Sequence, residues 1–148
     1  MSLLATLEKD YLEAYKAKED VKVAVLRMLK TAIKNASIDL RREPDDDEVL
    51  ELVARQLKQR KESIEQFTKG NRPDLADKER LEMAVLELYM PRQLDDAELV
   101  QAIEVAVAET GAADVKDMGR VMQALLSANK GQVDGKKASA LVRSRLAR

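Results

Sequence analysis

The chain has 148 residues, 45% of them hydrophobic and 36% charged, and its 26 basic and 27 acidic side chains leave a net charge of −1. With no cysteine and no histidine it has no disulfide, no thiolate and no imidazole, which removes most metal sites and most neutral-pH acid–base mechanisms. The low aromatic content (3%) and only three prolines fit an all-α fold, with cores of Leu, Val, Ile, Met and Ala.

No apolar run approaches the ~18 to 20 residues of a membrane span, and the opening MSLLATLEKD lacks the basic-then-apolar order of a signal peptide, so a cytoplasmic protein is expected. A first helix is predicted from Leu3 to about Ala17, with Leu4, Leu7, Tyr11 and Tyr15 on its inner face. A second, from Glu19 to Ile38, carries Val21, Val25, Leu29, Ala32 and Ala36 in one stripe and Leu26, Met28 and Ile33 beside it, which suits the centre of a bundle.

The run REPDDDEV places carboxylates where a new helix exposes free N–H groups, so a third helix starts near Asp45 and runs to about Thr68, before the turn residues GNRPD. The same role as a helix cap accounts for Asp45, Asp46 and Asp47 without a metal, because the glycine and glutamate of a calcium loop are missing. On this helix Arg55, Lys58, Arg60 and Lys61 lie within neighbour distance of Glu51, Glu62 and Glu65, which predicts intrahelical pairing. A fourth helix from about Leu75 carries Leu81, Ala84, Val85, Leu88 and Tyr89 and stops at YMPRQL, where Pro91 breaks the ladder.

Beyond Pro91, Asp95 with Glu98 three residues on reads as a capping box, followed by Leu99, Ile103 and Val107, with Gly111 as the stop. Two short helices follow. One lies near Val115 to Ala128, with Met118, Met122, Leu125 and Leu126 apolar and Gly119 placed to let a neighbouring helix approach. The other runs from about Gly135 to the C-terminus, with Asp134 as N-cap and Ala138, Leu141, Val142 and Leu146 inward. No internal repeat stands out, and no period-2 pattern predicts a strand. The expected layout is an N-terminal four-helix bundle-like domain over 1–90 and a three-helix domain over 91–148.

Charge is uneven at the end of the chain. Residues 116–148 hold eight basic side chains, Lys116, Arg120, Lys130, Lys136, Lys137, Arg143, Arg145 and Arg148, against Asp117 and Asp134, a net of +6. Such a cluster either complements helix C-termini or neutralises phosphates. With no aromatic nearby, stacking on unpaired bases is not expected there. GQVDGKK is not a nucleotide-hydrolysing loop, since three residues rather than four separate its glycines and Lys137, not Ser or Thr, follows Lys136. The serines lack a histidine base, so no catalytic residue and no cofactor is assigned.

Four stretches, LRMLKTAIKNASID, KQRKESIEQFTKGNRPDLADKE, LYMPRQLDDAEL and KDMGRVMQALLSANKGQVDGKKASALV, together resemble the YqeY family of the GatB/YqeY group. The resemblance implies a helical bundle followed by a three-helix domain similar to the tail of the B subunit of glutamine-dependent tRNA amidotransferase, a tail associated with tRNA. It also implies the label of carbon–nitrogen ligase with glutamine as amido donor, although the catalytic portions of that enzyme have no counterpart in this chain. Ser127, Ala128 and Gln132 depart from the family pattern, standing where proline, lysine and arginine are common.

The resulting expectation is a non-catalytic, tRNA-interacting accessory protein. Lys116, Arg120, Lys130, Lys136 and Lys137 would be its phosphate contacts, with Arg143 and Arg145 beside them, and the backbone at Gly131 and from Gly135 onward would serve as a further anchor. The alternatives are a protein–protein adaptor and a component contributing to carbon–nitrogen ligase activity only when assembled with a catalytic subunit, and a protein partner from the translation or tRNA-charging machinery is also expected.

Overall fold

The structure, a computed structural model, describes residues 2–148. Among them are seven α-helices, one 3-10 turn and no strand. The chain divides into two compact units, the first running to Met90 and the second from Pro91. The first holds α1 (Leu3–Ala17), α2 (Asp20–Leu40), α3 (Asp46–Lys69) and α4 (Pro73–Glu87). The second holds α5 (Asp96–Thr110), the 3-10 turn Val115–Asp117, α6 (Met118–Ala128) and α7 (Gly135–Leu146).

In the first unit α2 and α3 each pack against all three other helices, so the central place expected of α2 is shared with α3. The core comprises Leu7, Val25, Leu26, Leu29, Ile33, Val49, Val53, Leu57, Val85 and Leu86. Several expected core residues face solvent instead: Tyr15 is 62% exposed, Met28 55%, Leu81 60% and Leu88 69%, and Val21 is also exposed.

For α4 the cause is visible. Its inner stripe includes Glu79 and Glu82, which meet Arg60 of α3. Arg60 is the one buried charged residue among those described, at 7% exposure. Its guanidinium donates to Glu79 (3.1 Å) and to Glu82, and its second terminal nitrogen lies 3.6 Å from Met28 Sδ. Acids on the inner stripe displaced the apparent apolar face toward Leu81, Ala84 and Leu88, which the structure turns outward. The pairing expected within α3 is therefore, for Arg60, a bridge between helices. Tyr89 closes this unit by donating its hydroxyl to Asp10 (2.7 Å), and burial, then Asp10, pushes its pKa up.

The second unit buries Leu99, Ile103, Ala106, Val107, Val121, Leu125, Ala138, Val142 and Leu146, with α6 packed against both α5 and α7. Leu126 is 41% exposed, so it leaves the stripe predicted for α6. Gly119 is exposed, and a Cβ there would meet nothing within 4 Å, so no helix approaches it.

The two units share one form of helix start. Arg42, Asp45 and Glu48 recur at the same spacing as Arg92, Asp95 and Glu98, in a pattern R-x-x-D-D-x-E. In the first unit the Glu48 N–H donates to Asp45 (2.9 Å), the Asp45 N–H donates to Glu48 (3.0 Å), and Arg42 grips the Glu48 carboxylate at 2.7 and 3.1 Å. In the second the corresponding distances are 2.8, 3.1, 2.8 and 2.8 Å. The arginine first, then the backbone N–H of the capping aspartate, holds Glu48 and Glu98 each at a pKa of about 2.

Candidate nucleic-acid interface

The basic end of the chain is a helical hairpin. Met118, Val121, Met122 and Leu125 follow one face of α6, with Val121 and Leu125 fully buried, while Ala138, Val142 and Leu146 do the same for α7. α6 ends at Asn129, whose side-chain amide and backbone N–H both donate to the Leu125 carbonyl (2.9 and 3.2 Å). Gly131 then takes a left-handed conformation, φ 70°, that favours glycine.

This turn is clasped by the chain entering the unit. The Leu94 N–H donates to the Gln132 carbonyl (2.9 Å), the Gln132 amide donates to the Arg92 carbonyl (3.2 Å), and the Gln93 amide donates to the Gly131 carbonyl (2.6 Å). Gln132, neutral where the family pattern often has arginine, thus uses both its backbone and its side chain to hold residues 92–94.

The structure separates the predicted contacts into two groups. Arg120 donates to the Thr110 carbonyl (3.0 Å) and to Asp117 (2.6 Å), so it braces the start of α6. The Ala113 N–H, then Arg120, holds the Asp117 carboxyl at a pKa of about 2. Lys137 pairs with Asp96 and Arg145 with Glu104 (2.6 Å), both across to α5, and each partner acid raises its cation's pKa.

Lys116, Lys136 and Arg143 are exposed, and no side-chain bond or ion pair engages them among the described residues. Lys130 is exposed on the turn and has an interaction of its own. The anchor expected at the start of α7 is largely occupied: the N–H groups of Lys136 and Lys137 already donate to Asp134 (3.0 and 3.3 Å). Gly135, the first residue of α7, is exposed.

Sequence reasoning missed the partners of Arg120, Lys137 and Arg145, since each acid lies on a different element or depends on how α5 and α7 pack. The signal for Arg120 was present as an i, i+3 spacing from Asp117. Among the described residues no three acidic side chains converge as a metal site, and no helix is long and apolar enough to cross a membrane.

Compared with known families, the chain matches the one described as Yqey-like protein over residues 4–146. Among curated proteins it is similar to "Altered inheritance of mitochondria protein 41, mitochondrial" of Eremothecium gossypii, 42% identical over 88 residues, covering 59% of this chain and 48% of that protein. The protein of the same name from Kluyveromyces lactis is 35% identical over 107 residues, covering 68% of this chain and 58% of the relative. That from Saccharomyces cerevisiae is 32% identical over 97 residues, covering 65% and 52%. The chain spans about half the length of the curated relatives it matches, and their names place those proteins in mitochondria.

Proposed function

The chain belongs to the YqeY family, and from that premise we propose that it is a non-catalytic accessory protein that binds tRNA through its second unit. On this reading the units are two domains, a four-helix bundle-like one and a three-helix one akin to the amidotransferase tail, working in the cytoplasm. The observation that carries it is the solvent face of α7. Lys136, Lys137, Ala140, Arg143 and Ser144 are exposed along that helix, and α7 contains no acid. Lys136 and Arg143 stand two turns apart, ~10 Å along the axis, with Lys116 as a further cation without an ion pair. Contacts of this kind neutralise phosphates and fix register without reading bases. Arg120, Lys137 and Arg145 serve the fold first, because each already has an acidic partner.

The test is binding of labelled tRNA followed by fluorescence anisotropy. Affinity should fall steeply as salt rises from ~50 to ~200 mM. Lys136→Glu combined with Arg143→Glu should weaken binding at least about tenfold with an unchanged helical spectrum. Absence of binding at ~50 mM salt, where phosphate contacts are strongest, sinks the reading. The purified chain should release no ammonia from glutamine.

A protein–protein adaptor is the second reading, and the outward stripe Leu81, Ala84 and Leu88 on α4 favours it. Copurification of a partner that survives deletion of residues 95–148, with tRNA absent from the complex, would select it over the first.

A further inference from the structure

All four aromatic residues lie in the first unit, and two of them form a pair on its surface. Tyr11 and Tyr15, one turn apart on α1, have ring centroids 6.3 Å from each other at 36°. Tyr15 is 62% exposed, an unusual outlay of apolar ring for a position that helical spacing assigns to the core. Along the same edge of α2, Arg27, Lys30 and Lys34 recur at i, i+3 and i+7, one stripe of cations.

The two stripes meet. Arg27 donates to the Tyr11 hydroxyl (3.4 Å), Lys30 Nζ sits 4.2 Å over the Tyr11 ring and donates to Glu8 (3.0 Å). Lys34 is exposed and engages no acid among the described residues. Beyond Lys30 the edge opens into a cavity of about 250 Å³ with an apolar floor of Leu4, Ile33, Ile38 and Pro44 and with Lys30 and Lys34 among its lining residues. From Tyr15 to Leu4 the edge is ~16 Å long by helical rise.

We propose that this α1–α2 edge binds single-stranded nucleic acid, with one base stacked on Tyr15, phosphates on Arg27 and Lys34, and a second base at the apolar cavity. Tyr11, braced between Arg27 and Lys30, stiffens the platform. An open aromatic face adjoining evenly spaced cations is the combination that binds unpaired bases on a charged backbone. A duplex hides its base faces, so the edge favours single strands. Two acids lie on the edge: Glu8, which holds Lys30 and leaves Arg27 and Lys34 as the phosphate contacts, and the exposed Glu43, which lines the far side of the cavity, where an uncharged base rather than a phosphate would sit. This inference is independent of the tRNA reading, which rests on the other unit.

The experiment titrates the full chain into a labelled oligouridine of about ten nucleotides at ~50 mM salt, with a duplex RNA of equal length and polyglutamate as parallel arms. The expected result is preference for the single strand, roughly five- to hundredfold weaker binding by Tyr15→Ala, retention by Tyr15→Phe, and a loss with Lys34→Glu. Both residues are exposed, so an unchanged helical spectrum is expected and checked. All arms are run in the Lys136→Glu, Arg143→Glu background, which removes the phosphate contacts of the α7 face and so separates this edge from it. The proposal is overturned by no binding, by equal binding of the duplex, by wild-type affinity in Tyr15→Ala, or by polyglutamate binding that ignores Tyr15.

Discussion

The two units begin a helix with the same seven-residue device and then diverge in everything exposed. Arg42, Asp45 and Glu48 match Arg92, Asp95 and Glu98 bond for bond, yet the first unit carries all four aromatics and a buried ion cluster, and the second has no aromatic and an acid-free basic helix. Local backbone chemistry is reused because every helix start poses the same problem of free N–H groups. Surfaces are free to differ, and function is to be sought where they do.

The largest expected effect separates the two interiors. Arg60→Ala should cost about 3–5 kcal/mol in urea unfolding, because Glu79 and Glu82 would be left as partly buried, unpaired charges. Nothing in the second unit should respond on that scale to loss of a charge. Its counterpart is packing: Leu125→Ala, at a fully buried site, should cost about 3 kcal/mol and be read by the same measurement.

Next come the shared helix starts. Asp45→Ala and Asp95→Ala should each cost about 1 kcal/mol, and unequal losses would show that the likeness stops at geometry. With Glu48 and Glu98 depressed to a pKa of about 2, their stabilisation is fully present above the ordinary carboxylate pKa near ~4.3 and disappears as pH falls through about 2. Glu48→Gln and Glu98→Gln should flatten the acid limb of a stability–pH curve by comparable amounts.

The smallest effect concerns helix ends. The first unit closes α1 and α2 with Lys18 (φ 58°) and Arg41 (φ 59°) in the left-handed region, whereas the second closes α5 with Gly111 (φ 65°). Arg41→Gly should gain up to about 1 kcal/mol and Gly111→Ala should lose about as much, since a Cβ at Gly111 would meet no neighbour and only the backbone is strained. Thermal unfolding of both variants checks the sign.

Helix starts were the most legible part of the fold: Asp45, expected from the acid run after Pro44, Asp95, expected from its spacing to Glu98, and Asp134 each cap the helix assigned to them. Helix faces were less so. Leu81 and Leu88 mark a regular apolar stripe that the structure turns outward, because the inward one contains acids whose partner, Arg60, comes from another helix. The same limit applied to the basic cluster: its composition was plain, but which cations pair with Asp96 and Glu104 depends on how α5 and α7 pack, whereas the Arg120–Asp117 pair was open to reading from its i, i+3 spacing. Tyr15 had no partner pattern in the sequence, and only its exposure set it apart.

The clasp between residues 92–94 and the turn at Gly131–Gln132 decides where the chain could be shortened. An excised second unit that began at Asp95 would lose the Arg92 carbonyl, the Gln93 amide and the Leu94 N–H together, freeing the turn that leads into the basic helix and opening it to proteases. One that began at Pro91 would keep all three and, with them, the Arg92 grip on Glu98. The short stretch after the proline is thus better counted as the first piece of the hairpin than as a spacer.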